Sequence, residues 1–280
     1  MLASYHNHSH YSDGKASIAE MAEAADALGI DELGVSDHFV IPPQGNPPRW
    51  AMPATSLPSY IKDIETADRQ ARCEMRMGLE LDWFEGMGAR LIETLKPLPL
   101  DYVLGSVHHV DSFCIDGAAA KWEKLDQDQI NRVHNRYWQL MKSMAESRFC
   151  DIIAHIDLPK KFGFVPDQDL ANVIEPALDA IAEASLVVEL NTAGWHKRCE
   201  DAYPSTEILQ LCYARDIPVT ISADAHLPAH LLRDFGAAAQ RLTEVGYQQI
   251  ARFKQREVWF EPLENAAPDN TGIKSGRDNF

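Results

Sequence analysis

No cysteine pair, no long apolar run and no excess of basic charge mark this chain, and each absence removes a class of protein. The five cysteines, Cys73, Cys114, Cys150, Cys199 and Cys212, are scattered, odd in number and without C-x-x-C spacing. That argues against a disulfide framework or a thiolate zinc site and suits a reducing compartment. No stretch reaches the roughly 18–20 consecutive apolar residues that span a bilayer. The first residues lack the basic-then-apolar order of a signal peptide, so the expected location is the cytoplasm, with no membrane partner. The formal net charge is −16; a phosphate backbone needs a basic face, and nucleic acid is not an expected partner. The G-x-G-x-x-G and P-loop fingerprints of nucleotide-binding folds are missing, as are internal repeats and low-complexity tracts.

What is present is an alternation. Across 280 residues with a hydrophobic fraction of 45%, short β-type apolar runs alternate with amphipathic helical stretches. The stretch "SIAEMAEAADALG" predicts a helix with Ser17 as N-cap, Glu20 completing a capping box and Gly29 ending it. Further helices are expected near 58–73, 86–96, 126–147, 169–184, 205–215 and 229–245. Strands are expected at "IDELGVSDH", "MRMGLELDW", "DYVLGSVHH", "CDIIAHIDLP", "SLVVELNTAG" and "IPVTISADAH", after a first one leading into His6. Seven β-then-α units in series imply a parallel sheet, and at this length a closed α/β barrel. Residues 1–264 read as one domain, with an amphipathic "EVWFEPL" near its end, and the polar segment 265–280 reads as a flexible tail. A proline-rich loop, "VIPPQGNPPRWAMP", is too long for a connector and is expected to cover a site, with Arg49 or Trp50 reaching inward.

Each apolar strand ends in polar chemistry. His6 and His8 follow the first strand, and Asp37 and His38 end the second. Glu80 lies at the end of the third, His108 and His109 at the fourth and His155 at the fifth. Glu189 and Asn191 end the sixth, and Asp224 and His226 the seventh. In a parallel barrel all these edges meet on one face, where barrel active sites lie. An H-x-H pair on a strand points both imidazoles to one side because the period is two, and "SADAH" does the same with a carboxylate and an imidazole. Neutral imidazole and carboxylate suit zinc, iron or manganese. The candidates are too many for one ion, so two or three divalent ions are expected, with Glu80 as the bridge. His134, alone on a long helix, reads as a packing histidine; His10 and His109 read as neighbours of the ligating positions.

The motifs "HNHSHYSDG", "SDH", "GLELDW", "GSVHHVD", "AHIDLPKKFG", "ELNTAGWHK" and "SADAH", in this order, resemble those of the PHP (polymerase and histidinol phosphatase) superfamily, in particular its monofunctional histidinol-phosphate phosphatase branch. The resemblance runs from about residue 1 to 262. It implies a distorted (β/α)7 TIM-like barrel of PHP type holding three metal ions. His6, His8, Glu80 and Asp224 would surround the first. Glu80 would bridge to a second held by His108 and His155, and Asp13, His38 and His226 would hold the third. His10 falls outside the matched motif. The implied activity is hydrolysis of L-histidinol phosphate, a small phosphate ester, to L-histidinol and phosphate, in histidine biosynthesis. Clustered divalent ions favour that chemistry by acidifying water and offsetting phosphoryl charge. Asp224 and His226 are the candidates for protonating the leaving alkoxide. Lys160, Lys161, His196 and Lys197 are the candidates for holding the substrate phosphate. Relatives usually carry Gly-Leu-Arg-Lys where this chain has Gly194-Trp195-His196-Lys197, so an arginine fork is missing there. Another phosphoester or a nucleotide is the alternative substrate class. The amidohydrolases share the H-x-H start but commonly bridge their metals with a lysine, which no strand end here supplies. A non-catalytic metal-binding module would be expected to have lost ligands, and every matched position keeps a His, Asp or Glu.

Overall fold

The computed structural model describes residues 2–263; the tail expected at 265–280 lies outside them. Among the described residues twelve strands are formed: β1 (Ala3–Ser4), β2 (Glu32–Val35), β3 (Glu74–Met77), β4 (Glu80–Asp82), β5 (Leu104–Ser106), β6 (His109–Val110), β7 (Phe113–Cys114), β8 (Ile152–Ile153), β9 (Val187–Asn191), β10 (Val219–Ser222), β11 (Gln249–Lys254) and β12 (Glu257–Pro262). The helices are α1 (Ile18–Leu28), α2 (Leu57–Gln70), α3 (Gly88–Leu95), α4 (Ala119–Trp122), α5 (Gln127–Ser147), α6 (Ala171–Glu183), α7 (Thr206–Tyr213) and α8 (Phe235–Val245). Among the described residues no helix is long and apolar enough to cross a membrane.

The parallel strands run in two arcs, β1-β2-β3 and β10-β9-β8-β5-β4, and local bridges join the arcs into a ring. The expected strand "MRMGLELDW" is one strand broken after Met77: β3 pairs with β2, and β4 pairs with β5. At the break, Gly78 N donates to Val35 O at 2.8 Å and Phe39 N donates to Glu80 O at 2.7 Å. A Cβ on Gly78 would sit 2.3 Å from the Tyr102 ring, so only glycine lets the strand pass Tyr102. On the other side Asn7 bridges Ala225, with His8 N donating to Ala225 O at 2.8 Å and Ala225 N to His6 O at 3.1 Å. Seven parallel strand positions thus close a barrel, the α/β architecture that the alternation implies.

Local rules account for the surrounding helices. Ser17 and Glu20 form the capping box of α1, and Gly29 ends it in the left-handed conformation at φ 71°, a cap worth about 1 kcal/mol. Helix α5 starts on an equivalent Asp126–Gln129 box and buries Tyr137, Trp138, Met141 and Met144. The boundary that differs most from expectation is the start of the last helix. The helix read over 229–245 begins only at Phe235, because Pro228–His230 form a 3-10 turn and Asp234 adopts φ 59°.

The lower end of the barrel is closed by a feature that periodicity did not define. "EVWFEPL" pairs antiparallel with β11 as a hairpin. From it Phe253 packs edge-on to Tyr5, ring centroids 5.6 Å apart. Arg76 links the hairpin to the barrel: its Nε donates to Phe253 O at 3.1 Å, and its Nη2 to Glu32 at 2.6 Å and Glu74 at 2.7 Å.

Candidate metal centre

At the upper end the strand termini converge. Glu80, fully buried, lies at the centre. Its Oε2 is 2.6 Å from His38 Nδ1, 3.4 Å from His6 Nε2 and 3.6 Å from His8 Nε2. Its Oε1 is 3.0 Å from His155 Nε2 and 3.6 Å from His108 Nε2. Asp224 Oδ1 is 3.1 Å from His8 Nε2 and 3.6 Å from His6 Nε2. Asp13 Oδ1 is 3.2 Å from His226 Nε2 and 3.7 Å from His38 Nε2. Four overlapping groups place their ligand atoms within 4.8 Å of one another: His6-His8-Asp224, His6-Glu80-His155, His38-Glu80-His108 and His8-Asp13-His38-His226. The structure therefore brings together all nine residues expected to bind metal. His38 sits between Glu80 and Asp13 rather than beside Asp13 alone, and His8 faces two groups. His10 is exposed and joins none of them. His134 is buried on α5 with Nε2 2.9 Å from Phe164 O.

Backbone strain and close packing aim these side chains. His155 and Asp224 hold φ values of 25° and 49°, the sparsely populated region that persists where surrounding structure enforces it. Asp13 is presented by a loop folded back on β1. Asp37 anchors that loop, accepting from Ser9 N at 2.8 Å, Ser9 Oγ at 2.6 Å and Ser12 N at 3.0 Å. Asp37 thus serves as a brace. A Cβ on Gly14 would lie 2.2 Å from His8 O, so the loop can close only with glycine there.

Two further carboxylates orient the histidines from behind. Glu189 Oε1 is 2.7 Å from His6 Nδ1, and its Oε2 accepts from His155 N at 2.7 Å and Asn191 Nδ2 at 2.9 Å. Asp82 is 2.5 Å from His108 Nδ1 and 3.3 Å from His109 Nδ1. A carboxylate on one ring nitrogen fixes the tautomer that leaves the other free to ligate. Glu189 stood out in the sequence only as a strand-end carboxylate, and Asp82 not at all; an acid two residues beyond Glu80 on the same strand was the available signal.

The electrostatics are those of a cation site. Burial pushes the His8 pKa down to about 3, helped by His226 and His38, so that ring is neutral. For His6 and His108, burial acts downward but is outweighed by Glu189, Asp224 and Glu80, and by Asp82 and Asp116, and both pKa values rise well above 6.5. Burial is likewise overcome at His226, raised to about 9 by Asp13 and Asp224. In the absence of metal, protons on these rings offset the buried carboxylates, the role a divalent ion would take. His6 Nε2, both ring nitrogens of His8, His155 Nδ1 and Asp13 Oδ1 are buried without a hydrogen-bond partner, and His38 Nδ1 and Glu80 Oε2 approach out of line for a hydrogen bond. Of these, His6 Nε2, His8 Nε2, His38 Nδ1, Glu80 Oε2 and Asp13 Oδ1 lie within 3.6 Å of another ligand atom of the cluster, an arrangement that fits metal ions.

A cavity of about 330 Å³ opens onto this cluster, lined by Asp13, His38, His108, His155, Asp224 and His226. The four expected phosphate-binding residues divide. Lys161 and Lys197 line the cavity. Lys160 does not: it is buried against Asp157 and Asp201, at 2.9 and 2.8 Å. His196 also turns away, its Nε2 2.5 Å from Asp234 Oδ2. In their place Lys15, Asp116, His230 and Arg233 line the cavity, residues the sequence did not single out. Of the proline-rich loop, Trp50 stands edge-on to His38 at 4.8 Å between centroids, while Arg49 is exposed.

Comparison with known proteins gives a consistent result. Residues 4–193 match the PHP domain family. A Deinococcus radiodurans protein described as a "Probable histidinol-phosphatase" is 32% identical over 243 residues, covering 85% of this chain and 91% of that one. The histidinol-phosphatase of Bacillus subtilis is 25% identical over 75% of this chain and 87% of its own. The crystal structure of histidinol phosphate phosphatase from Lactococcus lactis, complexed with zinc, L-histidinol and phosphate, superposes with a TM-score of 0.77 at 17% identity. That match covers 92% of this chain and 99% of the other.

Proposed function

The chain belongs to the PHP domain family, and on that premise we propose that it is a metal-dependent phosphomonoesterase converting L-histidinol phosphate to L-histidinol and phosphate. The observation that carries the reading is the cluster around Glu80: buried imidazoles and carboxylates with orphaned atoms, opening on a cavity whose walls also carry Lys161 and Lys197. The relatives' activity fits such a site, and residues 1–264 are read as its single domain.

In this proposal two to three divalent ions, zinc, manganese or iron, are held by His6, His8, Glu80 and Asp224, by Glu80, His108 and His155, and by Asp13, His38 and His226. When bound they supply acidified water and positive charge for the phosphoryl oxygens. The protein's own groups do the rest. Glu189 and Asp82 keep His6 and His108 in their ligating tautomers. Lys161 and Lys197 draw the phosphate ester into the cavity. Asp224, facing both the cavity and the histidines, takes the proton of the attacking water. Asp224, with His226 beside it, returns that proton to the alkoxide oxygen as the P–O bond breaks. Trp50 screens His38 from bulk water.

The test is phosphate release from a panel of phosphomonoesters by chelated and metal-restored protein, with elemental analysis of the purified chain. L-histidinol phosphate should be the preferred ester, and activity should depend on added divalent metal. Faster turnover of another phosphoester would overturn the substrate assignment. Fewer than two ions per chain, with no activity on metal addition, would overturn the enzyme reading.

A further inference from the structure

We infer that Arg233 is the side chain that grips the phosphoryl group in the cavity, and that His196, which lies outside it, positions Arg233. The inference rests on the phosphomonoesterase reading above and adds to it a residue that no strand-end pattern marks.

A phosphoryl group presents several anionic oxygens in a fixed arrangement, and a guanidinium matches two of them at once where an ammonium offers a point charge. Among the described residues, Arg233 is the one arginine that lines the cavity. Two of the three lysines there are differently disposed. Lys161 donates to Asp116 O at 3.0 Å and lies 3.9 Å from its carboxylate, so it is drawn to that wall. Lys15 is exposed at the mouth.

The chain around Arg233 is fixed from both sides. Its backbone N donates to His230 O at 3.0 Å, and Leu231 and Leu232 are buried immediately before it. Its carbonyl accepts from Thr192 Oγ1 at 2.7 Å, a bond across to the end of β9. The next residue, Asp234, holds φ 59°, and its carboxylate is 2.5 Å from His196 Nε2. Two bonds from the turn Thr192–His196 thus bracket Arg233, one on its carbonyl and one on its neighbour's side chain. A loop fastened so tightly to the wall of the cavity, at the single arginine it carries there, is built to hold that guanidinium in place. This also gives His196 a role compatible with its position: it clamps the loop and leaves contact with the anion to Arg233.

The test uses the intact, metal-loaded chain and the variants Arg233→Lys, Arg233→Ala, His196→Ala and the Arg233→Ala/His196→Ala double. Two quantities are measured: inorganic phosphate binding by calorimetry, and KM and kcat for the ester that wild type turns over best. Arg233→Lys, which keeps the charge and loses the fork, should weaken phosphate binding and raise KM by about 10-fold, with metal content unchanged. Guanidinium ion should restore part of the activity of Arg233→Ala. His196→Ala should raise KM with little change in kcat, and the double variant should be no worse than Arg233→Ala alone, since a positioning residue has no effect once the residue it positions is gone. Phosphate affinity and KM within about twofold of wild type in Arg233→Ala, at full metal content, would overturn the phosphate role. Fully additive losses in the double variant would overturn the positioning role. If wild type hydrolyses no phosphomonoester yet binds phosphate through Arg233, the enzymatic reading fails and this inference stands. If wild type is active and Arg233→Ala is unaffected, the reverse holds.

Discussion

Replacing Glu189 by Gln is the sharpest probe of how the centre is held, because it changes charge and hydrogen-bond polarity while keeping shape. Glu189 is fully buried, and its carboxyl is held below the usual glutamate range: burial would raise it, but the His6 charge and hydrogen bond prevail. Its two oxygens meet four donors, His6 Nδ1 and Ser222 Oγ on one side, His155 N and Asn191 Nδ2 on the other. An amide has one acceptor oxygen, so one side must change. If the amide nitrogen faces His155 N and Asn191, buried donors oppose each other, at about 1–3 kcal/mol for a group left unsatisfied. If it faces His6, the ring must accept at Nδ1 and therefore carry its proton on Nε2, the nitrogen turned toward Glu80 and Asp224. Either way His6 is a poorer ligand. Loss of such an outer partner typically weakens metal binding about 10- to 100-fold, or about 1.4–2.8 kcal/mol. The assay is competition with a zinc chelator of known affinity, followed by elemental analysis. Zinc affinity of Glu189→Gln within about twofold of wild type would refute both the tautomer argument and the place of His6 in the ligand set.

Three other outcomes are expected. His8→Ala should lose more activity than the roughly 10–100-fold cost of an outer partner, while His10→Ala should leave turnover unchanged; equal losses in a steady-state assay would show that the H-x-H pair is partitioned wrongly. Gly14→Ala must push its new Cβ away from His8 O, which it would approach to 2.2 Å, and a displacement of about 1 Å beside Asp13 is enough for a loss on the order of 100-fold. Full activity and metal content in that variant would sink the close-packing argument. His134 titrates away from the metal site. Burial lowers its pKa below 6.5, against the hydrogen bond to Phe164 O, so the unfolded chain binds more protons. The stability it contributes is therefore present above the unfolded value of about 6.5 and is lost as pH falls through the lower folded value. His134→Gln keeps a donor for Phe164 O and removes the titration, so its urea midpoint should fall less than wild type between about pH 7 and 5; identical slopes would refute the assignment.

What could be read from the sequence was local or periodic. Ser17, Glu20 and Gly29 specify α1 within thirteen positions, and His6 and His8 share a face because strand geometry demands it. The gathering of strand ends followed from one topological rule, that parallel strands in a ring present their C-terminal edges together. What could not be read depended on partners far along the chain. Glu189 reaches His6 across 183 residues, and nothing in "VVELN" says which strand lies opposite. Lys160 and Lys161 are neighbours of the same type, yet one is tied to Asp157 and Asp201 and the other borders the cavity. Arg233 and His230 were hidden inside a stretch with helical periodicity. Only the turn at Pro228–His230 and the positive φ at Asp234 free them from the helix and bring them to the site.

The barrel holds a polar cluster at each end, and the difference between them separates support from chemistry. At the base, Glu32 and Glu74 are met by Arg76, and Glu32 also by Arg252. A guanidinium keeps its charge at every accessible pH, so this cluster is neutralised once, permanently, by the fold itself. At the top, Glu80, Asp13, Asp224, Asp82 and Glu189 are paired with imidazoles, groups that carry charge only while protonated and ligate metal only when they do not. The counter-charge there is exchangeable: a divalent ion entering the cluster displaces protons and replaces the compensation they gave. A barrel that needed those carboxylates for stability alone would be better served by the arginine solution it uses at its base. Pairing these carboxylates with histidine leaves their counter-charge open to exchange, which suits a site where the charge is supplied from outside.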